Sequence, residues 1–286
     1  MIISVASGKG GTGKTTIATN LALSLKNVQF IDCDVEEPNA HIFIKPSIKH
    51  IEKVNVLMPK INYSFCNFCG KCAEFCQYNA IAVFEKQVLI FPELCHHCGG
   101  CKFICPKNAI TEEEITIGKI KKGNANSIDF IAGELDIAQS PPSPLIRRLK
   151  KYISKHTNII IDAPPGTSCT MIESIEDSDF CILVTEPTPF GLNDLKLAIS
   201  VVQKMNIKYG VVINQCDIGD NKVEEFCVNN KIDILMKIPY SRKIAEAYSK
   251  GESIISILPE YKFKFREMYE KIKMRVNTRN ETNSNY

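Results

Sequence analysis

Eight of the thirteen cysteines in this chain of 286 residues fall into two runs with the same spacing. Each run reads C-x2-C-x2-C-x3-C, the first beginning at Cys66 and the second at Cys95. The repetition extends beyond the cysteines, because Asn-Ala-Ile follows both runs at the same distance, from Asn79 and from Asn108. This pattern indicates one unit that has been duplicated. Three thiolates so closely spaced suit three irons of one cubane cluster, provided that glycines let the loop wrap tightly.

The two runs resemble those of the bacterial ferredoxins with two 4Fe-4S clusters, in which the fourth cysteine of each run ligates the other cluster. The resemblance implies one cluster on Cys66, Cys69, Cys72 and Cys105, and a second on Cys95, Cys98, Cys101 and Cys76. Pro106 follows the last cysteine as the ferredoxin pattern requires, whereas Gln77 stands at the corresponding place in the first run. This departure concerns the local turn and leaves the ligand assignment unchanged.

The cysteine runs allow two other interpretations. A pair of zinc sites would need four ligands in two pairs, and it has no use for the evenly spaced third cysteine of each run. His96 and His97 stand between two of the cysteines and are expected to lie over a cluster, where they tune its potential, rather than to bind it.

A second kind of chemistry is encoded at the start of the chain. A short apolar run, residues 2–6, precedes a glycine-rich loop, and apolar residues at helical spacing follow from Ile17. Strand, glycine loop and helix are the context that a phosphate-binding loop requires. The Lys14 ammonium can reach the β and γ oxygens of a nucleotide, and the Thr15 hydroxyl can bind Mg²⁺. The residues predicted to hold the phosphates are Gly8, Gly10, Gly11, Thr12, Gly13, Lys14, Thr15 and Thr16.

The early lysine of this loop, Lys9, carries a more specific resemblance. The sequence GKGGTGKT, which ends at Thr15, resembles the deviant Walker A motif of the MinD, ParA and Mrp ATPases, whose relatives include the nitrogenase iron protein. In that family the early lysine contacts the nucleotide of a partner subunit. The resemblance therefore implies an ATP-dependent homodimer, or a heterodimer with a similar ATPase, in which Lys9 makes that contact. Such a cation stabilises the charge that develops on the phosphates.

Further motifs of the family follow along the chain. Asp32-Cys33-Asp34 resembles the first switch, which implies that Asp34 orients the attacking water. Residues 159–168 resemble the second switch of Mrp proteins, which implies that Asp162 holds Mg²⁺ through water and that the Gly166 amide senses the γ-phosphate. Asn214 is implied to recognise adenine, with Pro239 beside the base. A lone aspartate after an apolar run is usually a helix cap, but the order of these motifs favours the family roles. The residues implied to be catalytic are Lys9, Lys14, Asp34 and Asp162.

The organisation of the chain follows from the alternation of apolar strands with helical patterns on both sides of the cysteine block. This alternation predicts an α/β fold with a doubly wound, mostly parallel sheet, whose ligands lie at the carboxyl ends of the strands. The resemblance implies a P-loop ATPase domain made of residues 1–59 and 120–276. A small α+β ferredoxin-like domain is expected at 60–119 and a disordered tail at 277–286. Residues 118–127 are interpreted as a loop that closes the insertion.

Composition limits the partners and the compartment. The net charge of +3 gives no reason to expect nucleic-acid binding. A leader peptide and an apolar stretch of about 20 residues are both lacking, so a cytoplasmic protein with reduced thiols is expected. An apolar stripe from Tyr261 to Val276 fits a final helix docked on the sheet or, less well, a membrane-binding helix.

Three functions are consistent with these patterns. In the first, ATP binding and hydrolysis to ADP and phosphate drive dimerisation, which gates electron transfer through two 4Fe-4S clusters to a redox partner. In the second, the protein assembles or carries iron-sulfur or other metallocofactors for a partner protein. In the third, it is a spatial organiser like MinD or ParA. Fully ligated clusters favour the first function, because they are held and not handed on. Against direct carriage, Cys216 and Cys227 do not form the C-terminal Cys-x-x-Cys of Mrp carriers.

Overall fold

A nine-stranded sheet forms the body of the protein, in the strand order β11-β10-β9-β1-β8-β2-β7-β6-β3. The computed structural model describes residues 1–137, 141–154 and 157–282, with side chains as far as residue 277. The sheet strands are β1 (Ile2–Ala6), β2 (Val28–Asp32), β3 (Ser47–Ile61), β6 (Ile110–Ala125), β7 (Ile128–Leu135), β8 (Asn158–Asp162), β9 (Phe180–Thr185), β10 (Lys208–Asn214) and β11 (Ile234–Ile238), while β4 (Ile81–Phe84) and β5 (Gln87–Ile90) form a separate hairpin.

Helices cover both faces of the sheet. The helices are α1 (Lys14–Ser24), α2 (Ala40–Ile44), α3 (Lys71–Phe75), α4 (Gly100–Ile104), α5 (Ser143–Lys150), α6 (Cys169–Ile175), α7 (Pro189–Lys204), α8 (Lys222–Asn229), α9 (Arg242–Ser249), α10 (Ile254–Ile257) and α11 (Glu260–Thr282). Of these, α3 and α4 belong to the cysteine-rich segment and do not cover the sheet. The central strands β1, β2, β8 and β9 are apolar and buried on both faces, as parallel strands between two helical layers must be. The predicted doubly wound, mostly parallel sheet is therefore confirmed.

The C-terminal helix α11 packs against α1 on one face of the sheet. Its apolar stripe, including Tyr261, Phe265, Met268 and Ile272, is buried in that core. The stripe therefore docks on the body, as preferred above. The helix runs on to Thr282, so the expected tail was wrong over 277–282, where neither Gly nor Pro interrupts helical propagation. The remainder of that tail, 283–286, lies outside the described residues.

The antiparallel strands β3 and β6 form a long two-stranded arm at one edge of the sheet. They pair from Ser47 with Asn124 to Ile61 with Ile110. The second half of β6 also pairs with β7, from Gly118 opposite Leu135 onward, whereas the first half extends past the carboxyl end of β7. At about 3.4 Å per residue, residues 110–117 span roughly 25 Å. The arm therefore lifts the cysteine block above the edge at which the parallel strands end.

The expected loop at 118–127 was wrong, because β6 continues to Ala125 and the turn takes up only 126 and 127. Its glycines were interpreted as turn residues, but they lie where strands approach closely. A Cβ on Gly118 would lie 2.4 Å from the Glu134 carbonyl oxygen, and one on Gly123 would lie 2.3 Å from that of Ser47. Positions 60 and 119, taken above as limits of the insertion, consequently fall within strands of the body sheet, and the segment beyond the arm is 62–109.

The segment 62–109, here called the cysteine block, keeps the sequence repeat in three dimensions. The short helices α3 and α4 pack together, and each begins after a glycine with left-handed backbone, Gly70 (φ 78°) and Gly99 (φ 72°). Asn79 and Asn108 match in the same way, with φ values of 52° and 50°. The block therefore contains two equivalent loop-helix units joined by the β4-β5 hairpin.

Candidate functional site

The glycine-rich loop connects β1 to α1 at the carboxyl edge of the sheet and lines a cavity of about 440 Å³. The predicted residues that line this cavity are Lys9, Gly10, Gly11, Thr12, Gly13, Lys14, Thr15, Thr16, Asp34, Asn214 and Pro239. The other three predicted residues, Gly8, Asp162 and Gly166, do not line the cavity themselves. A Cβ on Gly8 would meet the Asp194 backbone, Asp162 reaches the cavity through Lys14, and the Gly166 amide donates to the Ser7 carbonyl at 3.0 Å.

Lys14 lies between two carboxylates at the carboxyl ends of neighbouring strands, Asp162 as the last residue of β8 and Asp34 two residues after β2. Its Nζ is 3.3 Å from Asp162 Oδ1 and 3.5 Å from Asp34 Oδ2. Burial alone would lower the pKa of Lys14, but the charges of Asp162 and Asp34 outweigh burial and raise this pKa. The lysine is therefore a fixed cation at the mouth of the glycine loop, where a phosphate would lie.

Asp162 has the properties expected of a residue that faces a divalent cation. Its side chain is fully buried, and within the described part of the chain its Oδ2 has no hydrogen-bond partner. A buried carboxylate oxygen without a donor is costly, and a hydrated Mg²⁺ ion would satisfy it. The Thr15 hydroxyl stands at the start of α1 and lines the cavity. Thr15 and Asp162 together therefore supply oxygen atoms of the kind that a hydrated Mg²⁺ ion binds.

Asp32 has a structural role that the sequence left undecided. Its two carboxylate oxygens accept the backbone amides of Asp34, at 3.1 Å, and of Ala40, at 3.2 Å. Burial, followed by the charge of Asp162, raises the pKa of Asp32 well above its usual range. Asp32 therefore fixes the segment that carries Asp34 and leaves Asp34 to face the cavity.

Lys9 pairs with a residue that sequence analysis missed. Its Nζ lies 2.6 Å from Glu186 Oε1 of the same chain, and the Thr188 hydroxyl donates to that oxygen at 3.3 Å. Glu186 follows the last residue of β9, where a conspicuous Thr-Glu-Pro sequence was the available signal. In this state Lys9 is oriented by its own subunit.

The far end of the cavity has room for a base. The side-chain Nδ2 of Asn214 donates to the Thr12 carbonyl at 2.9 Å, so this nitrogen does not point into the cavity. Tyr240, Ile244 and Tyr248 line the same end, and none of them was predicted as a site residue. Asn214 therefore ties the base end of the cavity to the glycine loop.

We expect Asp34→Asn to stabilise the nucleotide-free, Mg²⁺-free protein at pH 7.5. Burial, only partly offset by Lys14, raises the pKa of Asp34 from 3.8 to about 6. The folded state therefore holds a proton that the unfolded state loses, and stability falls as the pH rises from about 4 through about 6. The uncharged variant avoids this loss, with a gain on the order of 1–3 kcal/mol. Urea unfolding at pH 4 and at pH 7.5 measures the difference.

The control for this experiment is Asp220→Asn. Lys222 lowers the pKa of that exposed carboxyl, so its replacement should give no gain at pH 7.5. A stabilisation by Asp34→Asn that grows toward pH 4 would contradict the assigned sign.

The cysteine block encloses two further cavities that divide the cysteines between them. One, the first cysteine cavity, is lined by Cys66, Cys69, Cys72 and Cys105. The other, the second cysteine cavity, is lined by Cys76, Cys95, Cys98 and Cys101. Each cavity thus takes three cysteines from one run and the last cysteine from the other.

The cysteine cavities offer a donor set suited to iron-sulfur clusters. The Ala80 and Ala109 amides donate to Cys76 Sγ and Cys105 Sγ, each at 3.3 Å, and amide donors of this kind stabilise charged sulfur ligands. Burial raises the pKa of Cys101 to about 11, so that thiol keeps its proton until a metal displaces it. Among the described residues no group of three or more His, Cys, Asp or Glu side chains converges on a single metal ion. The grouping fits two larger centres, each with four sulfurs around it.

Two other features bear on function. A cavity of about 630 Å³ lies at the opposite ends of β9 to β11, where Arg275 pairs with Asp233. It is remote from the glycine loop and lacks the grouping of Lys14 with carboxylates. In the segments 1–137, 141–154 and 157–282, no helix combines the length and the apolar character needed to cross a membrane.

Comparison with known proteins places the chain in a family. Two uncharacterized proteins of Methanocaldococcus jannaschii are 36% and 32% identical to this chain, over 89% and 96% of it and 91% and 96% of their own lengths. An iron-sulfur cluster carrier protein of Pyrococcus abyssi is 26% identical over 88% of this chain and 78% of that protein.

Solved structures share the fold. The septum site-determining protein MinD from Pyrococcus horikoshii, complexed with Mg-ADP, has a TM-score of 0.59 at 18% identity, with 95% of each chain covered. The cell division ATPase MinD of Pyrococcus furiosus has the same TM-score at 19% identity, with 96% of this chain and 98% of that chain covered. The model of the CobQ/CobB/MinD/ParA nucleotide binding domain matches residues 3–254. The chain therefore belongs to the CobQ/CobB/MinD/ParA family of nucleotide-binding proteins.

Proposed function

We propose that this protein is an ATPase whose ATP-dependent dimerisation gates electron transfer through two 4Fe-4S clusters to a redox partner. The observation that carries the proposal is the division of the eight cysteines between two cavities, each with one ligand from the other run. Four sulfurs around each cavity match the ligand number of a 4Fe-4S cluster. In this proposal the cysteine block acts as the ferredoxin-like domain, and the clusters supply one-electron chemistry.

The nucleotide half of the proposal rests on the Lys14 site. The glycine-loop amides and Lys14 hold the phosphates of ATP, and Thr15 with Asp162 holds Mg²⁺, Asp162 through water. Asp34, whose Oδ2 is 3.5 Å from Lys14 Nζ, orients the attacking water. The Asn214 amide and Pro239 contact the adenine, and the Gly166 amide turns from Ser7 to the γ-phosphate.

Dimerisation engages Lys9. In the single chain Glu186 holds the Lys9 ammonium, so contact with a partner's nucleotide requires this ion pair to separate. ATP supplies the replacement, because its phosphates carry more negative charge than one carboxylate. A cation delivered only on closure stabilises the charge that develops during hydrolysis, which ties turnover to the dimer. The partner is a second copy or a similar ATPase.

An assembly or carrier function is the second candidate, because relatives 26% identical to this chain are named iron-sulfur cluster carrier proteins. In that function ATP would control binding to a partner that receives a cluster or a metallocofactor. The four cysteines around each cavity favour retention of the clusters, since a cluster with all four protein ligands is held rather than handed on. The likeness to MinD concerns the fold and does not by itself support a spatial organiser.

The test is an anaerobic redox titration followed by electron paramagnetic resonance, on cluster-loaded protein without nucleotide, with ADP and with a non-hydrolysable ATP analogue. Gated electron transfer predicts a nucleotide-dependent change of about 30–60 mV in a one-electron couple, equivalent to about 0.7–1.4 kcal/mol of coupling. Potentials that are the same in all three states contradict redox gating. Nucleotide-dependent transfer of iron to an apo-protein would support the carrier function instead.

A further inference from the structure

The two cysteine cavities come from equivalent halves of the repeat, but they differ in charge. Lys71 and Lys107, here called the lysine rim, line the first cysteine cavity. At the corresponding places of the repeat stand Gly100 and Tyr78, and Tyr78 lines the second cysteine cavity. Among the described residues that line the second cavity there is no Lys, Arg, Asp or Glu. Duplication therefore left one cationic cavity and one without formal charges.

The lysine rim carries two exposed cations that are not neutralised. In the part of the chain that the structure describes, neither Lys71 nor Lys107 forms a salt bridge, whereas Lys102 of α4 pairs with Glu112 at 2.7 Å. The residues that line the first cysteine cavity include no Asp or Glu, and Glu74, one turn after Lys71 on α3, is not among them. The rim consequently presents an uncompensated positive charge to solvent.

Exposed aromatic side chains adjoin the same cavity. Phe68 lines it, and the ring centroid of Tyr63 lies 6.2 Å from that of Phe68. Tyr63 is 52% exposed, and Phe65, which directly precedes Cys66 of this cavity, is 62% exposed. Exposed aromatic residues bordered by charged ones are typical of a surface that binds another protein.

The first cysteine cavity lies at the end of the arm that is farther from the body. Ile61 and Ile110, the paired residues that end β3 and begin β6, line it, whereas the arm contributes Pro59 to the second cavity. All of its described lining residues fall within 61–110. A partner can therefore contact this cavity without displacing the nucleotide-binding body.

The second cysteine cavity is bordered in a different way. Tyr78 stacks on His96, with ring centroids 3.5 Å apart and an angle of 10° between the planes, and both residues line the cavity. The stack takes the place that Lys107 has at the first cavity. The two halves of the repeat thus present different surfaces, and only the first combines aromatic residues with unpaired cations.

We propose that the first cysteine cavity is the docking face for the redox partner, and that this partner is an electron-transfer protein which presents carboxylates to Lys71 and Lys107. The inference rests on the proposed function and names the chemistry of its partner and the cluster that faces it. Unpaired cations steer an acidic partner and raise its association rate. A second copy of this chain fits less well, because its own lysine rim would repel the first.

Two electron-transfer proteins of opposite charge serve as probes, an acidic flavodoxin and the basic cytochrome c. Full-length, cluster-loaded protein is reduced with dithionite, freed of the reagent and mixed with each oxidised probe in a stopped-flow instrument. One electron leaves a reduced cluster and reduces one flavin or one haem. In Lys71→Gln/Lys107→Gln the second-order rate constant with flavodoxin should fall about 3- to 10-fold at low ionic strength. The fall should disappear in high salt, and the rate with cytochrome c should not decrease.

Cross-linking with a carbodiimide gives a readout that does not depend on electron transfer. The reagent joins a lysine amine to a contacting carboxylate as an amide. In the mixture of oxidised, cluster-loaded protein with flavodoxin, mass spectrometry should find the link at Lys71 or Lys107. Links that form only at other lysines would overturn the inference.

The matched control is Lys49→Gln/Lys53→Gln, which removes the same charge from exposed positions of β3 outside the cysteine block. A flavodoxin rate that is unchanged in the rim variant, or that falls equally in the control, overturns the inference alone. An equal fall with cytochrome c also overturns it, because a changed cluster potential affects both probes in the same direction. Self-association that the rim variant abolishes would assign the face to a second copy. Reduced clusters that pass electrons to neither probe overturn the proposed electron transfer as well.

Discussion

Replacing Lys14 with Ala should reduce ATP turnover by about 10²–10³-fold or more while the iron content stays at the wild-type level. Lys14 is the buried cation that contacts both Asp34 and Asp162, so its loss removes the charge that holds the β and γ phosphates. The cysteine runs lie in another part of the molecule, where Cys95 and Cys76 belong to a separate small core with Met58 and Ala80. Steady-state phosphate release and iron analysis of the same sample measure the two expected results.

The matched control is Lys26→Ala, which removes an exposed lysine shortly after the end of the same helix and should change neither quantity. Loss of iron together with ATP turnover in Lys14→Ala would mean that the two sites are not separable. Such an outcome would also favour assembly, in which ATP is required to load the clusters.

The parts of the site that were predictable from the sequence depend on local spacing. A glycine loop followed by Lys14 and Thr15 must lie between a strand and a helix, and the carboxyl ends of parallel strands bring Asp34 and Asp162 to the same edge. The cysteine runs are local in the same sense. Their division between two cavities came from the resemblance to ferredoxins, and the lining of the cavities agrees with it.

The parts that were not predictable depend on contacts between residues far apart in the chain. Glu186 is 177 residues from Lys9, and no periodicity links them. The Arg147 and Glu173 pair likewise joins two separate helices. Gly118 was misinterpreted because a glycine that permits close strand packing has the same letter as a glycine that makes a turn. The arm was missed for this reason, and with it the attachment of the cysteine block to the sheet edge.

That attachment changes how the two halves would communicate. An insertion that simply follows the first switch would be attached to a segment that moves when the γ-phosphate is lost. In the structure β3 and β6 are part of the nine-stranded sheet, and Glu52 on the arm is held by Arg148, Lys122 and Tyr152. These hydrogen bonds hold the pKa of Glu52 down at about 2, so they persist throughout the physiological pH range. A displacement of the arm against α5 would therefore have to break these contacts.

Replacing the last cysteine of either run with Ala should have the second large effect, a loss of iron. We expect Cys76→Ala to lose about half of the iron, because one 4Fe-4S cluster is left with three protein ligands. The lost cluster should be the one held by the second run, since Cys76 lines the cavity of Cys95, Cys98 and Cys101. Cys105→Ala should remove the other cluster, whose cavity it shares with Cys66. Iron analysis and electron paramagnetic resonance of the remaining cluster measure both results.

Variants within each run identify which cluster has been lost. The spectrum left in Cys76→Ala should match the spectrum left in Cys98→Ala and differ from the one left in Cys69→Ala. A match with Cys69→Ala would show that each run binds its own cluster and would contradict the exchange of ligands. With exchanged ligands, each of two short helices connects ligands of both clusters, α3 joining Cys72 to Cys76 and α4 joining Cys101 to Cys105. In the proposed function, clusters joined in this way would pass an electron within the block, and a partner that contacts the first cavity would draw electrons from the second.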